Sequence, residues 1–217
     1  MSSLLPTVKP DSAPKRERRK EARPGELLDA ALSLFVEKGF AATRAEEVAV
    51  RAGVSKGTLF LYFQSKEDLF KAVIRENISS LFPTWNEEFK SFTGSSGDML
   101  RYAMNSWWTH VGKTNASGIV KLVMSEAQNF PEIANFYQTE VIQPGNALIR
   151  QILARGVASG EFRPMDVDQA VYTVVAPMIF LMMWKNSMGA CAPSAHIVDP
   201  EQFIQMQVDF LLHGMSL

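Results

Sequence analysis

The chain has 217 residues, 47% of them hydrophobic, which is ample for the packed core of one or two compact domains, and its single cysteine excludes an internal disulfide. Its net charge of −1 hides an asymmetry: residues 1–75 hold 14 Lys or Arg against 10 Asp or Glu, whereas residues 76–217 hold 8 against 13. Only the N-terminal third is therefore charged to meet a polyanion. Met1 to Pro14 is short of apolar residues and rich in Pro and Ser, unlike a signal peptide, and is followed by the basic run KRERRKEAR (Lys15 to Arg23); residues 1–22 are expected to be a disordered basic arm. A first helix follows, with Leu27, Leu28, Ala31, Leu34 and Phe35 at helical period and Gly39 as its stop.

The stretch from Thr43 to Leu69 reads as two short helices joined by a glycine turn, with a third beginning behind them. Thr43 stands three residues before Glu46 in capping-box spacing, and Gly53 follows Ala52 where a left-handed residue would end the helix. Ser55 restarts the chain as an N-cap, and Leu59 and Phe63 are expected to anchor the second helix in a core. Ser65 caps the third, whose apolar stripe is Leu69, Phe70, Val73, Ile74 and Ile78. Two helices so closely joined must cross steeply, which is the helix-turn-helix geometry that sends a second helix into the DNA major groove. Lys56 and Thr58 on its first turn then become the expected base or phosphate contacts. Gly57 lets the backbone approach closely, and Leu61 is placed to touch a thymine methyl. The basic arm is either a solvated charge run or a second contact along the backbone or minor groove.

These residues, together with GELLDAALSLFVEKGF (Gly25 to Phe40), AGVSKGTL (Ala52 to Leu59), Tyr62-Phe63 and SKEDL (Ser65 to Leu69), resemble the DNA-binding domain of the TetR family of bacterial transcriptional repressors. The resemblance implies phosphate contacts by Thr43, Arg44, Ser55, Tyr62 and Lys66. The helix starts at Thr43 and Ser55 would also offer free N–H groups to an anion. Phe60 departs from the family pattern, where a Tyr is usual, and so removes one backbone contact.

Beyond residue 70 the helical pattern continues. The helix begun at Ser65 is expected to run to about Leu81 and break at Pro83. Further helices are expected over Asp98 to Lys113, Ser117 to Gln128, Pro131 to Gly160 with an interruption near Pro144-Gly145, and from the caps Asp166, with a kink at Pro177, and Asp199. No strand pattern competes, so the expected fold is all-α with about nine helices: a DNA-binding unit over residues 23–70 and a larger helical body over 71–217. The most apolar run, Ala170 to Trp184, holds fifteen residues, too few to span a bilayer comfortably, and reads as an interface helix. The phrases FPE, FYQTEVIQP and GEFR also resemble the family's second half.

The body carries an unusual supply of large soft side chains: Trp85, Phe89, Met104, Trp107, Trp108, Met124, Phe136 and Tyr137. Core packing accounts for such residues, but the resemblance implies a ligand pocket in this region, and this lining suits a flat or greasy molecule. Glu126 or Glu140 would supply a counter-charge if the ligand is cationic. Adjacent Trp107 and Trp108 cannot both face one way on a helix. Val167, Val171, Val174, Met178 and Met182 form one apolar stripe, and Phe203, Met206 and Phe210 another; paired with their symmetry mates they would make a four-helix dimer interface.

Enzymatic readings find no support. The three histidines have no metal-ligand spacing, and there is no phosphate loop, nucleophile elbow or carboxylate pair, so neither metal nor cofactor is expected. The expected function is a cytoplasmic, homodimeric repressor on a palindromic double-stranded operator, released by a small hydrophobic effector and not associated with membrane. The alternative is a protein of the same fold with a collapsed core that takes no small ligand and works through a protein partner.

Overall fold

The computed structural model describes residues 15–191 and 198–216, with side chains described from residue 24 onward. Among these residues there is no strand, only an isolated antiparallel bridge between Phe162 and Ser216. The α-helices are α1 (Lys15–Lys38), α2 (Ala45–Arg51), α3 (Lys56–Tyr62), α4 (Lys66–Asn77), α5 (Phe82–Lys90), α6 (Ser96–Trp107), α7 (Ser117–Glu126), α8 (Pro131–Tyr137), α9 (Gln143–Ala158), α10 (Val167–Lys185) and α11 (Pro200–Met215). A π-helical turn, Gln138–Ile142, joins α8 to α9 without a break, and a 3-10 turn, Ser79–Leu81, joins α4 to α5. With each of these pairs taken as one bent stem, the described residues form nine helical stems, in line with the all-α fold of about nine helices expected from the sequence.

Three boundaries differ from expectation. First, α1 begins at Lys15 and runs through Pro24, so residues 15–22 of the supposed disordered arm are helical; Met1 to Pro14 lie outside the described residues. Secondly, Pro83 starts α5 instead of ending the preceding helix, because proline needs no N–H partner in a first helical turn. Thirdly, the interruption near Pro144 takes the form of the π turn, and Pro144 opens α9. Asp166 and Asp199 cap α10 and α11 as expected, accepting backbone N–H bonds from Gln169 and from Glu201 and Gln202. α10 continues through Pro177.

One apolar core runs from the first three helices into the body. Phe35 and Phe40 pack against Phe70 of α4, with ring centroids 5.0 and 5.3 Å away, and Phe130 closes on Phe40 at 4.8 Å. Val36 of α1 sits over Gly118 of α7, where an added Cβ would come within 2.6 Å of it. The N-terminal helices are thus docked on the body at α1 as well as through α4.

Candidate nucleic-acid interface and body cavity

The α2–α3 turn is built by Gly53. Its φ of 67° places it in the left-handed region. The Val54 N–H then donates to the Ala49 carbonyl at 2.9 Å and the Gly53 N–H to Val50 at 3.1 Å, the paired closing bonds of a Schellman motif. Ser55 caps α3, its Oγ accepting from the Thr58 N–H at 3.1 Å and lying 2.9 Å from Thr58 Oγ1. Leu59 is fully buried and Phe63 half-buried, so the opposite face of α3 points away from the protein. Gly57 and Leu61 share that outer face one turn apart, and Leu61 is 83% exposed. A Cβ added at Gly57 would meet only Ser55 Oγ, at 3.8 Å. Nothing inside the protein therefore requires glycine there.

Arg44, Ser55, Lys56 and Tyr62 are all exposed or nearly so on this side, and Thr58 is half-buried. Lys56 is not idle: its Nζ lies 2.5 Å from Glu46 Oε1 on α2 and 5.8 Å from the Phe60 ring. The hydrogen bond from Lys56 holds the Glu46 carboxyl below the usual carboxylate range. Two expected contacts are placed differently. Thr43 is buried, its hydroxyl donating to the carbonyls of Gly39 at 2.7 Å and Leu34 at 3.2 Å. Arg44 takes the N-cap position instead, its N–H donating to Glu47 Oε2 at 3.3 Å, so the capping spacing starts one residue later than the sequence implied. Lys66 turns inward: its Nζ donates to the carbonyls of Phe40 at 2.9 Å and Ala41 at 3.2 Å and sits 4.4 Å from the Phe40 ring centroid. Both residues tie down the loop after α1, and the Thr43 hydroxyl is committed to that loop and α1.

The body encloses a cavity of about 390 Å³. Of the expected lining residues, Trp85, Phe89, Met104, Trp107, Met124 and Tyr137 line it, and Phe82 stacks on Trp107 with ring centroids 6.4 Å apart. Trp108 does not. It is buried against Gly112, on the other side of α6. Phe136 also faces away, under the Arg75 guanidinium at 4.8 Å and the Lys71 ammonium at 5.8 Å. Glu140 pairs with Arg75 at 3.1 Å and Glu126 accepts from Asn129, and neither lines the cavity. Among the described residues no Asp, Glu, Lys, Arg or His lines it, so none of them supplies a counter-charge for a cationic ligand.

α10 completes the wall with Tyr172, Val175, Met178, Ile179 and Met182, which sequence reasoning assigned elsewhere or passed over. Val171, Val174, Met178 and Met182 are buried within the chain and Val167 is half-buried, so the expected α10 dimer stripe is an internal face. The outward apolar surface is instead Phe180, 49% exposed, with Trp184 and Phe203 each 6.1 Å from it, continuing to Met206 and to Phe210, which is 72% exposed. Of the residues expected at the dimer interface, Met206 and Phe210 are exposed and Phe203 is half-buried, whereas four of the five on α10 are buried within the chain. α10 is apolar around most of its circumference, so periodicity alone did not distinguish its two sides. By length and composition it is also the one helix among the described residues apolar enough to cross a membrane, the stretch Val167–Cys191 exceeding the fifteen-residue run.

Comparison with known proteins agrees with both halves. Residues 27–73 match the model for bacterial regulatory proteins of the tetR family, and residues 93–199 match the tetracyclin repressor-like C-terminal domain. The chain belongs to the TetR family. Members of this kind are DNA-binding transcriptional regulators and not enzymes. The chain is 29% identical over 161 residues to the HTH-type transcriptional repressor KstR2 of Mycolicibacterium smegmatis, covering 72% of this chain and 76% of that one. It is 26% identical over 176 residues to the transcriptional regulator RutR of Escherichia coli, covering 75% and 74%. The crystal structure of FadR from Bacillus subtilis in complex with stearoyl-CoA shares the fold, with a TM-score of 0.68 at 21% identity over 88% of this chain and 98% of that one.

Proposed function

We propose that this TetR-family protein is a homodimeric transcriptional repressor that binds a palindromic operator and is released when a largely apolar small molecule fills the body cavity. In this reading residues 23–70 form the DNA-reading unit and residues 71–217 the effector and dimerisation unit, and the protein acts in the cytoplasm. The observation that carries the reading is the uncharged, aromatic-walled cavity of about 390 Å³, since a body that served only as a core would have no reason to leave it open. The naming of KstR2 as a repressor and the stearoyl-CoA bound to FadR support it by analogy. So does the Phe180, Phe203, Met206 and Phe210 surface, which offers a two-fold interface matched to a two-fold DNA site.

Release requires the cavity to communicate with α3, and two contacts supply the route. Gln138, Val141 and Ile142 of the π turn line the cavity, while its Glu140 holds Arg75 of α4. Val120 and Met124 of α7 line it too, and α7 carries the Gly118 seat of α1. A ligand that spreads these walls moves both supports of the DNA-reading unit. Half-sites one helical turn apart are separated by about 34–36 Å, and two heads of altered spacing lose one set of contacts. The test is a titration of the protein on the intergenic DNA beside its own gene, with and without apolar compounds selected by quenching of tryptophan fluorescence. A true effector weakens DNA binding, and by reciprocity DNA weakens the effector. Ligands that quench yet leave DNA affinity unchanged would overturn the reading.

A further inference from the structure

Two hydroxyls in the cavity wall have no hydrogen-bond partner among the described residues. Tyr137, on α8, and Ser106, on α6, are each more than nine-tenths buried, yet among the described residues neither side chain takes part in a hydrogen bond. Neither oxygen is among the sealed, partnerless atoms of the core, which are Ser79 Oγ and Gln207 Oε1. Tyr137 and Ser106 both line the cavity. Gln138, which is exposed, and Asn146, which is half-buried, line it as well, and neither side-chain amide has a hydrogen bond among the described residues. They lie eight residues apart along the α8–α9 stem, about 12 Å at helical rise. Hydroxyls and amides of this kind both donate and accept, and they satisfy a neutral hydroxyl, ketone or amide. They do not neutralise a carboxylate or an ammonium, and a buried unpaired charge is far costlier than a buried neutral polar group.

We infer that the cavity selects uncharged amphiphiles: an apolar body held by the Trp85–Trp107 wall, with a neutral hydroxyl or carbonyl group bonded by the Tyr137 and Ser106 hydroxyls. The inference rests on the effector reading above and names its ligand class. The anionic part of any larger conjugate would have to remain outside, beyond the exposed rim formed by Met124, Ile142 and Tyr172.

The experiment compares 1-decanol with decanoate, equal in chain length and different in head charge, using tryptophan quenching and calorimetry on the full-length protein. At about pH 7.5 decanoate should bind at least about tenfold more weakly than the alcohol, and it should recover as the pH falls toward its own protonation. Tyr137→Phe removes only an oxygen without a hydrogen-bond partner among the described residues, so the fold should hold while 1-decanol affinity falls about two- to tenfold. Ser106→Ala provides the same measurement at the second hydroxyl. Equal or tighter binding of decanoate at about pH 7.5, binding of neither probe, or full affinity in both variants would overturn the inference. Selective binding of 1-decanol that leaves DNA affinity untouched would uphold it and overturn the effector reading instead.

Discussion

Gly57→Ala should make the protein more stable and a poorer DNA binder, and the two effects separate its structural role from its functional one. Positive φ among the described residues occurs only at Gly39, Gly53 and Gly160, so the backbone at Gly57 accepts an L side chain. The new methyl would meet only Ser55 Oγ, at 3.8 Å, an ordinary contact. Alanine replaces glycine in a helix with a gain of up to about 1 kcal/mol, less in a first turn, which for a chain of this size raises Tm by about 1–4 °C. On the outer face the same methyl stands between α3 and the DNA it is proposed to enter. Loss of one closely seated base contact costs about 1–3 kcal/mol per head, roughly fivefold to 150-fold in affinity for each head. Scanning calorimetry and an anisotropy titration on one preparation measure both. A raised Tm with unchanged affinity would show that the first turn of α3 does not approach DNA closely, and a lowered Tm would refute the claim that the fold has no need of this glycine.

The other expectations use different parts of the molecule. Phe210→Glu, on the exposed α11 face, should yield folded monomers in light scattering, whereas Val174→Glu, with its side chain fully buried, should lose helical signal on milder heating; a dimeric Phe210→Glu protein would place the interface elsewhere. Glu46→Gln frees Lys56 from its carboxylate partner, so on random-sequence duplex the plot of log affinity against log salt should steepen by about 0.9 per head, and an unchanged slope would show that Lys56 does not reach phosphate. Arg75→Gln cuts the tie to Glu140 and should reduce the effect of ligand on DNA affinity while each partner alone binds within about twofold of wild type; undiminished coupling would exclude this route. Hydrogen bonds from Arg51 and Lys38 hold the carboxyls of Glu37 and Glu47 below their ordinary values. Their stabilisation is therefore present above the usual carboxylate range and lost as pH falls through the depressed values. The wild-type urea midpoint should drop more between about pH 5 and pH 3 than that of a Glu37→Gln, Glu47→Gln double variant, and equal drops would refute it.

The helical elements were legible wherever local chemistry decides them. Ser55, Ser65, Asp166 and Asp199 cap the helices that their spacing announces, and Gly53 and Gly39 turn the chain with positive φ. What the sequence left open is direction around a helix axis when apolar residues occupy more than one side. Trp107 and Trp108 are equivalent as residue types, and only the packing of α6 decides that the first lines the cavity while the second lies over Gly112. On α10 the stripe from Val171 to Met182 has the right period for an interface, but the body takes it inward and leaves Phe180 outside. The inward bonds of Thr43 and Lys66 have a related origin. A donor near a helix start satisfies an anion or a carbonyl equally well; here Gly39, four residues back, and Leu34 of α1 supply the carbonyls for Thr43, and Phe40 and Ala41, far off in sequence, supply those for Lys66.

The same inward turn of Lys66 bears on how release would work. α4 is the covalent path from the N-terminal helices to the body, which by itself suggests a rod swinging a free head. Instead, the head is held twice more, at Phe40 against Phe130 and at Val36 over Gly118, and Lys66 ties the start of α4 to the loop following α1. A rigid swing on α4 alone would have to tear these contacts, including buried aromatic packing. Motion of α7 and the π turn together would carry α1 and α4 in concert and leave the Phe35, Phe40 and Phe70 cluster intact. Both of those elements line the cavity, so in the proposed mechanism a ligand there would act on the whole docked head as one body, and its leverage would be the differential fit of the cavity between two packings, not the flexibility of one helix.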